Sequence, residues 1–195
     1  MVKNRKKERI SIFIDAANIF YSQKSLGWRV DYNKFLSYWK TQGKITNVYF
    51  YTSVISTKKE GLGKAYVNGF SYAMEHLNPF VLFEMDADLS HNPNNIPDFL
   101  RAVEKGADFV IGSRYIKNGS IPKNWAFYRK LFSVLGNLVV RFGFMKLRVT
   151  DWTSGYRAMK IWIVKSGLPH VEKFSGYVFQ VALLDHAIKN RSVIK

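Results

Sequence analysis

Residues 80–93 of this 195-residue chain read FVLFEMDADLSHNP, and this stretch decides the fold. The short apolar run over residues 79–84 predicts a buried strand. The carboxylates of Asp86 and Asp88 follow it directly, two positions apart. Residues at this spacing point to the same side of an extended chain, so both can face one hard cation, Mg²⁺ or Mn²⁺. The same residues would also suit a solvated turn in which Asp88 caps the next helix.

The sequence on both sides of this stretch alternates between strand and helix patterns. Short β-branched and aromatic runs predict further strands over residues 10–14, 47–54 and 107–112. Capped or amphipathic stretches predict helices over residues 31–43, 60–76, 95–105, 125–144 and 176–190. A loop and a short strand are expected over residues 150–160. This alternation predicts an α/β fold with a mostly parallel sheet flanked by helices.

The composition narrows the class of protein. The chain has 30 lysines and arginines against 14 aspartates and glutamates, which gives a net charge of +16. Such a surface attracts polyanions, namely nucleic acid, anionic lipid or phosphorylated substrates. The absence of cysteine excludes disulfides, thiolate metal sites and cysteine nucleophiles. No apolar run reaches the roughly 18–20 residues of a membrane span. We therefore expect a cytoplasmic protein, peripheral at the cytoplasmic face of a membrane.

Polar residues after the later strands form a second candidate site. Arg114 follows the predicted strand over residues 107–112, so it is expected at the same ligand-binding edge of the sheet. Arg129, Ser133 and Asn137 recur at four-residue spacing and share a helix face. A guanidinium and a hydroxyl on one face can hold a phosphate. The other interpretation of this trio is a polar outer stripe of the helix.

Six motifs follow one another in order along the chain. They are GLGKAY at 61–66, MDADLSHNP at 85–93, GSRY at 112–115, Arg129 with Ser133, TDWTSGYRAMK at 150–160 and GYVFQ at 176–180. Together they resemble the family 2 glycosyltransferases of GT-A fold, and most closely the dolichol-phosphate, or polyprenyl-phosphate, mannosyltransferases. The resemblance covers residues 59–195 and implies a GT-A-like domain over this range.

The resemblance also implies a reaction and its ligands. The reaction is the metal-dependent, inverting transfer of mannose or glucose from a GDP- or UDP-hexose to polyprenyl or dolichyl phosphate. Asp86 and Asp88 match the metal-binding D-x-D motif of the family. Ser90 stands where the family often has a glutamine that also touches the metal, Mg²⁺ or Mn²⁺. A metal and arginines would lower a barrier that is set by leaving-group charge and by the approach of like charges.

Further residues receive roles from the same resemblance. Arg114, Arg129 and Ser133 match positions that hold the acceptor phosphate, and Asp151 begins a D-x-x-S-G-Y-R loop near the acceptor. The apolar face of the helix over residues 125–144 would guide a lipid tail, or would be an ordinary core-packing face. The expected catalytic residues are Asp88, Asp151 and Arg114, and the expected cofactor-binding residues are Arg129, Ser133, Gly63 and Lys64.

Residues 1–58 do not fit this resemblance. The segments with which the family binds the base and ribose of the donor are not present there. Residues 12–21, IFIDAANIFY, are instead similar to the start of NYN domains, which are PIN-like ribonucleases. This similarity implies Asp15 as a metal ligand with Asn18 beside it, and a cap and turn after a strand is the alternative.

The chain is therefore expected to combine two parts. An NYN-like βαβ fragment over residues 1–58 replaces the usual N-terminal nucleotide-binding unit, and the GT-A-like domain over residues 59–195 also lacks the usual C-terminal end of the family. This substitution would impair transfer. Two other functions fit the basic charge, namely a metal-dependent ribonuclease of the NYN type and a non-catalytic domain that binds RNA or anionic lipid. Nucleic acid ranks behind the sugar nucleotide and the lipid phosphate as a partner.

Overall fold

The computed structural model of the protein describes residues 10–15, 31, 33–34, 37–38, 45–51, 62–86, 91–117, 119, 121, 126–174 and 176–195. The strands within these residues are β1 (Ile10–Asp15), β2 (Ile45–Tyr51), β3 (Val81–Asp86), β4 (Phe109–Ile111) and β5 (Arg157–Lys160). The helices are α1 (Leu62–His76), α2 (Ile96–Glu104), α3 (Phe127–Gly143), α4 (Ile161–Val171) and α5 (Gly176–Lys189), with a 3₁₀ turn at Pro93–Asn95.

The order of the strands places a topological switch point at the ends of β1 and β3. The sheet order is β2-β1-β3-β5-β4, and β1 pairs in parallel with both β2 and β3. In this register Asp15, at the end of β1, lies beside Asp86 at the end of β3. Open α/β sheets bind their ligands outside the carboxyl ends of the strands at such a point. The fold therefore places a candidate site at Asp86.

Strand β5 runs against both of its neighbours, β3 and β4. Its first residue, Arg157, pairs with Glu84, and its last residue, Lys160, pairs with Val81. This direction brings the loop that precedes β5 to the same edge as the carboxyl end of β3. The short strand predicted in this region is confirmed, and its reversed direction is the structural reason why residues 151–156 reach the site.

Strand β3 contributes apolar side chains to both faces of the sheet. Val81, Phe83 and Met85 of β3 belong to a cluster with α2, whereas Leu82 belongs to a larger cluster with α1, α4 and α5. This alternation is the period of two that is typical of a strand covered on both faces. Glu84 shares the face of Leu82, so its carboxylate points into the larger cluster and is fully buried.

Helix α4 is the element that the sequence pattern does not predict. Its sequence, IWIVKSGLPHV, contains β-branched residues, Gly167 and Pro169, which all lower helix propensity. Tertiary packing overrides this preference. A Cβ at Gly167 would lie 2.7 Å from Leu183 Cδ1 and 3.1 Å from His186 Cδ2, so the glycine allows α4 to approach α5 closely.

The other helices agree with the sequence. Helices α1, α2, α3 and α5 occupy predicted stretches with ends shifted by a few residues. The helix predicted over residues 31–43 falls largely outside the described residues. At its start, Asp31 Oδ1 accepts hydrogen bonds from the backbone N–H groups of Asn33 and Lys34, both at 3.0 Å, as a helix cap does. Among the helices in the described ranges, none is long and apolar enough to span a membrane.

Candidate active site

The carboxyl end of β3 carries the first candidate residue, Asp86. Its side chain remains 35% exposed, so the carboxylate is open to a ligand. Opposite it lies Gly155, where a Cβ would sit 3.6 Å and 3.8 Å from the two carboxylate oxygens. A longer side chain at this position would cover the carboxylate. Asp88 and Ser90, the other predicted metal ligands, lie outside the described residues.

His91 contacts both the backbone and the carboxylate of Asp86 at the carboxyl end of β3. Its Nδ1 accepts a hydrogen bond from the Asp86 backbone N–H at 2.9 Å, and its Nε2 lies 3.8 Å from Asp86 Oδ2. Because Nδ1 accepts, the neutral ring carries its proton on Nε2, which faces the carboxylate. The ring also stacks on Tyr156 with 4.7 Å between centroids. The sequence motif contains this histidine but does not indicate that it contacts Asp86.

Replacing His91 by phenylalanine is expected to weaken binding of Mn²⁺ about fivefold, because the stacking on Tyr156 is kept but the hydrogen bond that fixes the Asp86 backbone is lost. Calorimetric titration with Mn²⁺ in the presence of GDP or UDP measures the effect. The matched control is His76→Phe, because His76 is 55% exposed at the end of α1. Equal Mn²⁺ affinity in the two variants would contradict the role of His91.

A buried polar cluster lies directly behind this edge. Gln180 of α5 donates a hydrogen bond from Nε2 to Oε1 of the fully buried Glu84. Burial raises the pKa of Glu84 to about 7, and this effect outweighs the Arg157 charge and the Gln180 hydrogen bond, which lower it. Among the described residues, Glu84 Oε2 and Gln180 Oε1 have no hydrogen-bond partner. A proton on the Glu84 carboxyl group would supply a donor beside these two acceptor oxygens, in addition to the hydroxyl of Tyr66.

Arg157 connects this cluster to the loop before β5. Its guanidinium donates to three backbone carbonyls, Ser154 O at 2.5 Å, Trp152 O at 2.8 Å and Gln180 O at 2.8 Å. The side chain is fully buried, and burial lowers its pKa against the opposing effect of the nearby Glu84 charge. One buried residue thereby fixes the loop against the first half of α5.

The carboxylate of Asp151 holds the side chain of Arg114 in place. The fully buried Asp151 accepts two guanidinium hydrogen bonds at 2.8 Å, from Nε to Oδ2 and from Nη2 to Oδ1. It also accepts the Arg114 backbone N–H at 3.1 Å, and Thr153 Oγ1 accepts from Nη2 at 2.8 Å. Burial alone would lower the pKa of Arg114, but the hydrogen bonds and the charge of Asp151, together with smaller effects of Tyr115 and Tyr177, raise it above its ordinary value, so the side chain is a fixed cation.

A cavity of about 510 Å³ brings together three of the predicted phosphate-binding residues, Arg114, Arg129 and Ser133. The hydroxyl of Tyr115 lies 2.6 Å from Ser133 Oγ and fixes the position of the serine. The rest of the lining is mostly apolar and comes from α3 and α5; it includes Phe132, Gly136, Val140, Tyr177, Val178 and Val181. This arrangement suits a ligand with an anionic end and an apolar remainder.

Asn137 follows Arg129 and Ser133 at four-residue spacing on α3, but its hydrogen bonds show a structural role. Its Nδ2 donates to Thr150 O at 2.6 Å, and its Oδ1 accepts from the Trp152 N–H at 3.0 Å. The residue is only 3% exposed. Its amide therefore ties α3 to the loop that carries Asp151, and both of its polar atoms already have backbone partners.

Within the described part of the chain, the predicted metal ligand is Asp86, at the end of β3. Among the residues that the structure describes, no group of three or more histidine, aspartate or glutamate side chains could hold a metal ion. The open carboxylate of Asp86 fits Mg²⁺ or Mn²⁺, because such ions take one or two protein carboxylates and fill the remaining positions with water and substrate phosphate. Gly63 and Lys64 lie in the first turn of α1, and the contacts of their side chains are outside the described part of the chain.

A protein-family model identifies the class of this chain. The model described as glycosyl transferase family 2 matches residues 19–167, which is well over half of the sequence. The chain belongs to glycosyl transferase family 2. Within this family 2 transferase, the matched range includes Asp86, Arg114, Arg129 and Asp151.

Three curated relatives are similar to the family 2 transferase over parts of their length. Polyprenol monophosphomannose synthase of Mycolicibacterium smegmatis is 41% identical over 135 residues, which are 69% of this chain and 49% of that protein. Undecaprenyl-phosphate mannosyltransferase of Micrococcus luteus is 44% identical over 126 residues, which are 64% of this chain and 50% of that protein. Dolichol-phosphate mannosyltransferase of Pyrococcus furiosus is 38% identical over 128 residues, which are 65% of this chain and 35% of that protein. The chain thus spans about half, or less, of the relatives it matches.

Solved structures support the fold class. Glucosyl-3-phosphoglycerate synthase from Mycobacterium tuberculosis in complex with UDP aligns with a TM-score of 0.59 at 15% identity, covering 96% of this chain and 68% of that chain. The same enzyme with Mn²⁺ and UDP-glucose gives a TM-score of 0.59 at 14% identity, covering 96% and 67%. At such identity the likeness concerns the fold alone. This likeness confirms the predicted GT-A-like α/β fold class.

The N-terminal interpretation stays a prediction. The family match begins at residue 19, inside the range assigned by sequence to an NYN-like fragment. Asp15 precedes this match and lies in register with Asp86, whereas Asn18 is outside the described residues.

Proposed function

We propose that this family 2 transferase moves a hexose, mannose or glucose, from a GDP- or UDP-hexose to polyprenyl or dolichyl phosphate, with the help of Mg²⁺ or Mn²⁺. The observation that carries the proposal is the cavity lined by Arg114, Arg129 and Ser133, because it combines a cationic end with apolar walls. The names of the three mannose-transferring relatives support this acceptor class. The Mn²⁺ and UDP-glucose complex of the fold neighbour supports the donor class.

The nucleophile in this reaction is an oxygen of the acceptor phosphate. It forms a bond to the anomeric carbon of the hexose while the bond from that carbon to the donor diphosphate breaks, which inverts the configuration. No proton has to be removed, because a phosphate monoester is already ionised near pH 7. The task of the protein is therefore electrostatic: Arg114 and Arg129 offset the repulsion between the acceptor phosphate and the donor diphosphate.

Asp151 acts in this proposal as a positioning residue. It is fully buried, and its two oxygens are occupied by Arg114, so it fixes the guanidinium that faces the phosphate. Tyr115 has the corresponding task for Ser133, whose hydroxyl it holds at 2.6 Å. Positioned donors avoid the cost of reorganising during the reaction.

A divalent cation, when bound, neutralises charge on the donor diphosphate and so eases its departure. Asp86 would hold the cation at the end of β3, together with Asp88 and Ser90, which follow it in the sequence. His91 fixes the backbone of Asp86, and Gly155 leaves space beside its carboxylate.

An anionic membrane surface is the remaining proposed partner. Helix α3 exposes large apolar side chains, among them Phe127 at 81%, Val139 at 72% and Phe142 at 64%. An amphipathic helix of this kind lies in the membrane interface, and the net charge of +16 favours anionic headgroups. Such an orientation would bring the cavity beside α3 close to the lipid acceptor.

Sugar transfer to a short soluble acceptor tests this function directly. The full chain is incubated with Mn²⁺, farnesyl phosphate and radiolabelled GDP-mannose or UDP-glucose, and the lipid-linked sugar is extracted and counted. Replacing Arg129 by alanine is expected to raise the KM for farnesyl phosphate about tenfold, which is the value of one charge-assisted hydrogen bond. The KM for the nucleotide sugar should stay the same, because Arg129 faces the acceptor.

The matched control is Lys130→Ala, which removes the same charge from the same helical turn outside the cavity. An equal effect of both substitutions would show that general charge, and not the cavity, binds the acceptor. Mn²⁺-dependent cleavage of single-stranded RNA without any sugar transfer would contradict the proposed function and favour the ribonuclease.

A further inference from the structure

Helix α3 carries Arg129 and Ser133, two of the proposed phosphate-binding residues, and most of its surface is exposed. Of its 17 residues, all of them described, only Asn137 is buried. Large apolar side chains of the helix, such as Phe132 at 68%, are exposed instead. The buried residue of α3 is therefore a polar one, and a buried amide requires hydrogen-bond partners.

The two partners of this amide lie on either side of Asp151. Asn137 Nδ2 donates to Thr150 O at 2.6 Å, and Asn137 Oδ1 accepts from the Trp152 N–H at 3.0 Å. One side chain thus holds the peptide groups just before and just after Asp151, whose carboxylate binds the guanidinium of Arg114 at 2.8 Å. Apolar contacts are non-directional, whereas these two hydrogen bonds fix the position of α3 relative to the loop.

A contact on the other side of the cavity closes this arrangement into a ring. Tyr115 directly follows Arg114, and its hydroxyl lies 2.6 Å from Ser133 Oγ. Ser133 in turn lies about one helical turn before Asn137. The contacts thus leave α3 at Asn137 and return to it at Ser133, through the residues on both sides of Arg114. This ring holds α3 and the Arg114 segment at one separation.

We propose that Asn137 is a positioning residue that sets the separation between the guanidinium groups of Arg114 and Arg129, and with it the geometry in which they hold the acceptor phosphate. All three residues line the same cavity. Arg114 is fixed there through Asp151, and Arg129 lies on α3 about two turns before Asn137. Two cations can share one phosphate only at a defined separation, since charge-assisted hydrogen bonds need about 2.7–2.9 Å. The inference rests on the proposed function for the identity of the phosphate.

Binding of ethyl phosphate to the full chain tests the phosphate end of the site. Asn137→Leu replaces the amide by an apolar group of the same branching, so α3 loses its directional attachment and Arg129 its position. The affinity should fall about tenfold, the value of one charge-assisted hydrogen bond. Phosphorus NMR titration measures the affinity, and urea denaturation shows that the variant is folded. Asn137→Ser is the second variant; its hydroxyl is too short to reach both backbone partners, so the same loss is expected.

A double-mutant cycle with Arg129 distinguishes positioning from a merely structural role. In the Arg129→Ala background, Asn137→Leu should change the affinity by less than about twofold, because the guanidinium that Asn137 positions is absent. The matched background is Lys130→Ala, which removes a cation from the same helical turn outside the cavity, and there the tenfold loss should remain. An equal loss in both backgrounds is what a structural defect would give, and it overturns the inference.

Sugar transfer separates this inference from the proposed function. In the transfer assay, Asn137→Leu should raise the KM for farnesyl phosphate about tenfold and leave the KM for the nucleotide sugar unchanged. Unchanged ethyl phosphate affinity in Asn137→Leu and Asn137→Ser overturns the inference, while transfer by the wild-type chain leaves the proposed function standing. Ethyl phosphate binding that follows the cycle, without any sugar transfer by the wild-type chain, supports the positioning role and overturns the proposed function.

Discussion

Replacing Asp151 by asparagine is expected to lower the free energy of unfolding by about 3 kcal/mol, because it leaves a mostly buried guanidinium without its counter-charge. Asp151 is fully buried, and Arg114 keeps only 19% side-chain exposure. An asparagine can accept only one of the two hydrogen bonds, and its amide hydrogens would face the guanidinium. Urea denaturation of the variant and the wild type measures the difference.

The same substitution should raise the KM for prenyl phosphate more than the KM for the nucleotide sugar, since Arg114 lines the cavity that we propose to bind the acceptor phosphate. The matched control is Asp98→Asn, which also removes a carboxylate from an arginine pair, with Arg101. That pair is exposed, at 61% and 63%, and such pairs contribute less than about 1 kcal/mol. A loss of stability no larger than in Asp98→Asn would refute the positioning role of Asp151.

Replacing Glu84 by glutamine is expected to stabilise the protein above pH 7 by about 3 kcal/mol, which corresponds to the difference between its two pKa values. Burial raises the pKa of Glu84 from its ordinary value of 4.5 to about 7 in the folded chain. Between these pH values the unfolded chain releases the proton and the folded chain keeps it. Stability therefore falls as the pH rises from 4.5 to 7, and stays level above 7.

The glutamine variant should lack this decline, because it cannot ionise and still accepts the hydrogen bond from Gln180. Urea denaturation between pH 4.5 and 8, with EDTA present to remove divalent ions, gives the two stability curves. Glu75→Gln serves as the control, since Glu75 is 69% exposed on α1. Parallel curves for the wild type and Glu84→Gln would exclude a buried proton on Glu84.

Local patterns in the sequence account for most of the elements. The runs that become β1, β3 and α3 are predicted because apolar periodicity reports burial directly. Helix α4 is not predicted, because its stability depends on the contact of Gly167 with α5, which no local pattern contains. The direction of β5 is not predicted either, because it depends on pairing with strands that are distant in the sequence. Side chains alternate between the two faces of a strand in the same way whether the strand is parallel or antiparallel to its neighbours.

The residues of the candidate site also fall into two groups, those that the sequence indicates and those that only the structure brings together. Arg114, Arg129 and Ser133 are found from motif and spacing, and the structure brings them to one cavity. Glu84 and Gln180 are not singled out as a pair, because 96 positions separate them and each belongs to an otherwise apolar run. The signal that could have found Glu84 is its place inside a buried strand, where an ionised carboxylate is costly.

The reversed direction of β5 fixes both ends of the segment that carries α3 to the sheet. The chain leaves the sheet after β4, builds α3, and returns as β5 to pair with both β4 and β3. Both ends of this excursion are fixed by strand registers, so its interior can change in length and sequence while Asp86 stays where it is. Longer connections cost little closure entropy, about 0.6 kcal/mol for each doubling. Under the proposed function, such a chain could change its acceptor by exchanging one segment, while the sheet edge at Asp86 stays the same.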